Sequence, residues 1–451
     1  MSSIQIPLQK AIDEHWYQRL RTVTEGIGET FVLLMPDQDY LHGVREAFFS
    51  SGCTANPDLY PRQLPLARMA AVSAGLMQLQ ADITAQEPNE AIREAYVSHI
   101  QDYLTNLDLL CAAANRDHDL FMQKNRELYG MPDEAVFAAA CAWVRQDAEQ
   151  SVDPALDELR QDVLRLVPDL HGNAQLLIPD EALFHRVRNL HLQPGGYVDQ
   201  LFAPHGLPEA PYIEQEQGDV ITHQAIANVG SDYALQDAAD GLWAVLSRSR
   251  KVVRPLGYRV DRDYFVGVVA HEVGSHLLEE ANGSRQPLRL FGLGLNGFEK
   301  GNEGRAYLRE QIVYPDAAVF VRQSSWEYIL MLHVSVGLAA GLHDKPYTFA
   351  ELYAFLYALH RFWRQRRYPM DTNNDAEARE EAWLLAVRIM KGTNGTGGCY
   401  MKDTVYLQGN VTCWHVAKTD PWLLLQADMG KFNIGDEHHL AILRELNLLK
   451  V

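Results

Sequence analysis

Asp263-Tyr264-Phe265-Val266-Gly267-Val268-Val269-Ala270-His271-Glu272-Val273-Gly274-Ser275-His276-Leu277-Leu278-Glu279-Glu280-Ala281 places two imidazoles and a carboxylate inside an apolar run. Asp261 and Asp263 are N-cap candidates, so the run reads as a helix. Asn282-Gly283 is expected to stop it with a left-handed cap. Two histidines four apart on a helix differ by only ~40° and reach one metal ion. Here the spacing is five, which a regular helix would spread over ~140°. One extra residue taken up as a π-bulge restores a common face, and such bulges concentrate at functional sites. Gly274, between the histidines, permits the distortion. With 17 histidines and 59 acids in 451 residues, His-acid-x-x-x-His arises by chance about 0.08 times. The bland alternative is a pair of hydrogen-bonded core histidines.

A catalytic zinc site commonly has three protein ligands and one open position. Glu303, in Gly301-Asn302-Glu303-Gly304-Arg305-Ala306, lies 27 residues after His276 at the start of a second expected helix. A loop between the helices could bring it opposite the His pair. Read alone, such a residue is more often an acidic first-turn residue favoured by the helix dipole.

The rest of the chain narrows the class. Of its residues 47% are apolar and 22% charged, and the net charge is −19. That excludes a disordered or collagen-like chain and disfavours a phosphate backbone as partner, so no nucleic acid is expected. Five cysteines without a Cys-x-x-Cys pair argue against a disulfide framework or a thiolate zinc knuckle. No apolar stretch is long enough to span a bilayer; the longest, Tyr328 to Leu342, reads as a buried helix. The polar start, without a signal-peptide core, gives a cytoplasmic, non-membrane expectation.

Helical signals dominate. Leu66, Met69, Ala70, Val72, Leu76 and Leu79 form one face of a helical tract over Pro65 to Leu110. Met131-Pro132-Asp133-Glu134 and Asp153-Pro154 open further helices. Gln193 to Gly218, rich in Pro and Gly, is the expected boundary between a helical N-terminal part, 1–205, and a catalytic part, 206–451. Asp232 to Arg248 reads as a helix, and so does a tract from Tyr307 to Phe362, broken near Pro315 and Pro346. Another helix runs from Asn374 to Lys391. Asp403 to Val416, rich in Thr, Val, Tyr and Trp, reads as a strand. Gly292-Leu293-Gly294-Leu295-Asn296-Gly297 matches a dinucleotide fingerprint, but no βαβ alternation surrounds it. It reads instead as a loop whose glycines let backbone approach metal or substrate. The basic cluster Arg361, Arg364, Arg366 and Arg367 reads as a helix end pairing with acids from Asp375 to Glu381. His438-His439 reads as surface, and His333, His343 and His360 as packing residues.

His271 to His276, Arg285 to Leu295 and Asn302-Glu303-Gly304 together resemble the DUF1704 family. It includes eukaryotic microtubule-associated tyrosine carboxypeptidases and bacterial "flavohaemoglobin expression-modulating QEGLA motif" proteins. The likeness extends to Asn56-Pro57-Asp58-Leu59-Tyr60-Pro61 and to Lys402-Asp403-Thr404-Val405-Tyr406-Leu407-Gln408-Gly409. The family's Gln-Glu-Gly-Leu-Ala reads Asn302-Glu303-Gly304-Arg305-Ala306 here, so a long cation is expected beside the metal. The resemblance implies an α+β, predominantly helical zinc metallopeptidase. Its helical N-terminal part would pack on a gluzincin-like catalytic domain. His271, His276 and Glu303 would bind one zinc ion, and Glu272 would be the general base.

Zinc-assisted hydrolysis also needs a donor for the developing oxyanion. Tyr406 is the first candidate and Lys402 the second. A carboxypeptidase needs a cation for the substrate's terminal carboxylate, a task suited to Arg. Arg289, Arg305 and Arg285 lie between or beside the ligand segments. The expected partner is a peptide or protein C-terminal tail. The alternatives are a non-catalytic binding or regulatory protein with a structural metal site, and a small-molecule zinc amidohydrolase. A purely structural site has no need of Glu272.

Overall fold

The apolar periodicity of residues 66–110 becomes two helices, Leu66–Gln86 and Glu90–Ala114. They belong to a computed structural model that describes residues 4–238, 243–247, 249–322 and 324–449. Asn89 caps the second helix by accepting from the Ile92 N–H. The Met131-Pro132-Asp133-Glu134 signal likewise yields a helix, Glu134–Gln150, capped by Asp133. The apolar Tyr328–Leu342 stretch lies mostly within the helix Ser324–Ala340. A capping box of Thr348 and Glu351 opens the next helix, Phe349–Arg367. None of the helices among the described residues is long and apolar enough to cross a membrane. Helix dominates the fold, and strand makes up only 4% of it.

Apolar side chains gather in two buried clusters. The larger draws on residues 16–187 and on residues 288–443, so segments far apart in sequence share one core. The smaller is built from residues 197–278, including Tyr197, Ile213, Ile226, Phe265 and Val273. Among the described residues, five short strands lie near this second cluster: β1 (Tyr212–Glu214), β2 (Ala234–Ala238), β3 (Ala244–Leu246), β4 (Lys251–Pro255) and β5 (Arg259–Asp261). β1 pairs antiparallel with β5, Ile213 opposite Val260. β4 is central to a three-stranded sheet. It runs parallel to β2, with Ala234 opposite Lys251, and antiparallel to β3, with Val245 opposite Val252.

Two expectations fail here. The helix expected over Asp232 to Arg248 is replaced by β2 and β3; residues 239–242 and 248 of that span lie outside the described residues. Val252, on the strand between them, is fully buried. Pairing across the sheet therefore outweighs the helical spacing. The strand expected over Asp403 to Val416 is instead the helix Thr404–Thr419. Its β-branched and aromatic residues pack against the Glu299–Gln311 helix, and tertiary packing overrides a weak propensity. A Cβ on Gly304 would stand 2.3 Å from the Gly409 backbone, and one on Gly409 2.0 Å from the Lys300 carbonyl. The two helix backbones thus meet at a glycine pair.

The basic cluster pairs with the Asp375 to Glu381 acids only through Arg361 and Arg364; Arg366 and Arg367 turn to another helix. Arg364 pairs with Glu377 and Glu381, Arg361 with Asp375, and Arg366 and Arg367 with Glu327. His439 does not lie on the surface. It is buried, and its Nδ1 accepts the Asn433 N–H. Substituting Gly304→Ala should force the two glycine-paired helices apart. The expected loss is ~1–3 kcal/mol in urea unfolding.

Candidate metal centre

Asp261 caps the His271 helix by accepting from the Asp263 and Tyr264 amides. Regular α-helix runs over Arg262–His271, π-helix over Glu272–Leu277, and α-helix again over Leu278–Gly283. The five-residue spacing thus meets the irregularity it demands. The Ser275 hydroxyl donates to the Ala270 carbonyl, and Arg309 donates to the Gly274 carbonyl and to Ser275 Oγ. A Cβ on Gly274 would collide with the Tyr197 hydroxyl at 1.7 Å. Glycine is needed there for room, not for a left-handed backbone. The segment ends near Gly283 as expected but not by a left-handed cap. The residue that follows, Ser284, has right-handed helical dihedrals, and a Cβ on Gly283 would stand 2.4 Å from the Phe291 backbone.

The π turn brings the His271 and His276 ring centroids to 5.2 Å. Glu303, in the second turn of the Glu299–Gln311 helix, faces both. Its Oε2 lies 3.7 Å from His271 Nε2 and 3.4 Å from His276 Nε2. The three residues offer ligand atoms all within 4.8 Å of one another and could hold a metal ion. The opposite ring nitrogens are engaged. His271 Nδ1 lies 3.1 Å from Glu310 Oε2, and His276 Nδ1 lies 2.6 Å from Asn302 Oδ1. An Nδ1–H donated to each oxygen leaves both Nε2 lone pairs facing Glu303, the arrangement metal-binding imidazoles need.

Burial disfavours protonated His271, but the neighbouring carboxylates of Glu303, Glu310 and Glu272 outweigh it and raise its pKa to about 10, so the pocket favours a positive charge between the rings, which a bound metal ion would supply in place of that proton. Burial also opposes ionised Glu303, yet the His276 charge, hydrogen bonds from both histidines and the Lys402 charge hold it well below the usual carboxylate range.

Glu272 projects from the first residue of the π segment. Its Oε2 accepts the Val245 N–H at 2.9 Å, so β3 orients the carboxylate. The Glu303 charge acts on both Tyr406 and Lys402 and raises the pKa of each. The Tyr406 hydroxyl accepts from Arg388 at 3.1 Å, and its ring lies 5.8 Å from Tyr307, which stands edge-on to His271 at 4.7 Å.

The three candidate arginines are placed otherwise. Arg305 is fully buried and bonds Glu279 through Nε and Nη2 and the Phe432 carbonyl through Nη1. The cation expected beside the metal is thus turned away from it. Arg289 donates to the Ser284, Gln286 and Gln9 carbonyls. Arg285 donates to Gln5 Oε1 and the Ile6 carbonyl. All three hold backbone and side chains of their own protein. The glycine-rich loop also approaches protein rather than ligand. Leu290–Leu293 is a short helix, Gly294 packs on Phe298 with φ 114°, and the Gly297 N–H donates to Asp102.

Sequence reasoning missed Asn302, Glu310 and Glu279. On the same helix Asn302 lies one residue before Glu303 and Glu310 two turns after it, so helical spacing from a suspected ligand was the available signal. It also missed Lys391. That lysine is 5% exposed, and burial lowers its pKa to about 7, against the pull of Asp403 and helped by Arg388 and Lys402.

Comparison with known proteins gives one informative relative. The chain is similar to microtubule-associated tyrosine carboxypeptidase 1 of Homo sapiens, 28% identical over 186 residues. The match covers 40% of this chain and 33% of that protein, so the chain spans about a third of the relative's length. No family model matches the chain, and no solved structure matches it. The likeness is distant and covers a minority of each chain.

Lys391 carries a pH signature. An unfolded lysine titrates near ~10.4, above the folded value of about 7, so folding disfavours its charged form. The destabilisation is complete below pH 7 and fades as pH rises towards 10. Lys391→Met should therefore melt several degrees above the parent at pH 6 and lose that advantage at pH 10.

Proposed function

We propose that this protein is a zinc-dependent hydrolase of a peptide or amide bond, with a gluzincin-like catalytic domain and carboxypeptidase-type action on a peptide tail. The observation that carries the proposal is the convergence of His271 Nε2, His276 Nε2 and Glu303 Oε2 beside an oriented Glu272. The donor set fits zinc. Two neutral imidazoles and one carboxylate are borderline donors that suit Zn²⁺ and leave a coordination position open. Glu310 and Asn302 hold the histidines in the required tautomer, which supports a ligand role over a pair of merely buried histidines. A zinc ion held by these three residues supplies a Lewis acid and lowers the pKa of water towards ~7.

Within that frame the residues divide the work. The Val245 amide fixes one oxygen of Glu272, leaving the other to take a proton during attack on the substrate carbonyl and return it to the leaving amine. Tyr406 is suited to donate to the developing oxyanion: its hydroxyl accepts from Arg388, so its own hydrogen remains to give. Burial, and the charges of Glu303 and Asp403, push its pKa well up against the pull of Arg388, which keeps that proton in place. Lys402 is the second donor, its charge sustained by Tyr400, Glu303 and Glu299 against burial. The likeness to a tyrosine carboxypeptidase supports the peptidase class and, in this reading, the attack near a C-terminus.

Metal analysis is the test. Purified protein should carry about one equivalent of zinc, and His276→Ala should lose it. Glu272→Gln should keep the metal and lose ~10²–10⁴ in kcat. Asn302→Ala should weaken zinc ~10–100-fold in a chelator competition. Protein that takes up no metal, even with zinc supplied, would overturn the reading.

A further inference from the structure

β3 has three residues, Ala244–Leu246, and lies at an edge of its sheet; among the described residues β4 is its one strand partner. So short a strand is marginal when held from one side alone. Yet the Val245 N–H is the group that fixes Glu272. Whatever holds β3 against the metal-bearing helix therefore decides whether Glu272 stays oriented.

A second attachment lies two residues further along the chain. The Ser247 hydroxyl donates to Glu280 Oε2 at 3.0 Å. The Tyr233 hydroxyl donates to Glu280 Oε1 at 2.6 Å and lies 3.2 Å from the Ser247 carbonyl. Tyr233 immediately precedes β2 and Ser247 immediately follows β3, so one carboxylate gathers both outer strands of the sheet. Glu280 sits on the helix Leu278–Gly283, which continues the π segment that begins with Glu272. One helical segment thus grips β3 at two points, Glu272 at Val245 and Glu280 at Ser247. On its other side Glu280 Oε2 accepts from Lys431 Nζ at 2.7 Å. The Lys431 backbone in turn bonds those of Phe291 and Leu295, in the larger apolar cluster. Burial would raise the Glu280 pKa, but Lys431, Tyr233 and Ser247 hold it below the ordinary value. The carboxylate therefore stays charged, and a charged acceptor makes the stronger bond to a hydroxyl.

We propose that Glu280 is a positioning residue for the hydrolytic reaction: by pinning Ser247 and Tyr233 it fixes β3 on the metal-bearing helix and keeps the Val245 amide on Glu272. This rests on the hydrolase reading for the task of Glu272 and goes beyond it in assigning the tether. Glu280 acts through the strand, not on the substrate.

The test reads backbone hydrogen exchange at Val245 in zinc-loaded protein. Beside it stands turnover of the best-cleaved member of a pool of N-acetylated tripeptides. Removing the tether by Ser247→Ala or Glu280→Gln should speed Val245 exchange ~5–10-fold, the size of one lost hydrogen bond. The kcat should fall by ~5–10-fold as well, with KM and zinc content kept. Ser247→Thr retains the hydroxyl and should restore both to parental values. Lys431→Met removes the partner on the far side of Glu280 and leaves the strand tether. It should lower the melting temperature without moving Val245 exchange or kcat. A merely structural Glu280 would make Lys431→Met as damaging as Ser247→Ala, and that result overturns the proposal. So does unchanged Val245 exchange in Ser247→Ala, or faster exchange at full kcat. If Glu280→Gln does not fold, the Ser247→Ala and Ser247→Thr pair decides alone. Exchange needs no turnover, so the two readings fail separately. A parent without zinc or turnover sinks the hydrolase reading and with it any task for Glu280 in catalysis. The exchange ratio still decides whether Glu280 pins β3.

Discussion

A single carboxylate, Glu279, sets the distance on which the centre depends. It is fully buried and accepts from Arg305 Nε at 2.9 Å and Asn302 Nδ2 at 2.8 Å, and Arg309 lies 3.8 Å away. It sits three residues beyond His276, while its partners flank Glu303 on the facing helix. The chain of contacts runs from Glu279 through Asn302 Nδ2, and from Asn302 Oδ1 to His276 Nδ1. A sliding movement of either helix would therefore break a buried ion pair before it moved a ligand. Such pairs add little net stability, because desolvation offsets most of the Coulombic gain. Their value here is positional: they fix the register between the His pair and Glu303.

The π turn is the second constraint, and the same helix supports it. A π segment strains the regular carbonyl–amide ladder. Arg309 caps the exposed Gly274 carbonyl, Tyr197 donates to the Ala270 carbonyl, and the arginine stacks 4.7 Å over the Tyr197 ring. The Glu299–Gln311 helix thus provides Glu303 facing the histidines, Asn302 and Glu310 behind them, and Arg309 beneath the bulge. Its polar residues are consequently buried almost throughout, which inverts the usual rule that charged side chains face water. A helix so polar and so buried is committed to the site rather than to a hydrophobic core.

What the sequence made legible follows from this. His271, Glu272 and His276 were readable because their spacing conflicts with a regular helix, and Gly274 marked where the conflict would be relieved. Long helices with one apolar face, such as Leu66–Gln86, were readable from periodicity alone. The Thr404–Thr419 helix was not. Its β-branched residues speak for a strand until the Gly304–Gly409 contact is known, and that contact joins residues a hundred positions apart. The arginines illustrate the same limit. Position beside a ligand segment says that a cation is near, not which way its guanidinium turns. Arg305 follows Glu303 by two residues, roughly half a helical turn, so it points to the opposite side of the helix and meets Glu279. Periodicity applied from Glu303 would have found Asn302, Arg305 and Glu310 as a supporting set rather than as substrate contacts.

The distribution of charge then separates two kinds of cation. Every guanidinium around the centre is neutralised by the fold: Arg305 and Arg309 by Glu279, Arg309 also by Asp428, and Arg388 by Asp403. Arg suits that task because its planar fork satisfies several acceptors at once. The two lysines differ: Tyr400, Glu303 and Glu299 sustain the charge of Lys402 against burial, whereas Lys391 is left with the ring faces of Tyr400 and Phe31. Lys391 pays in stability for that isolation, since its charged form is the one burial disfavours.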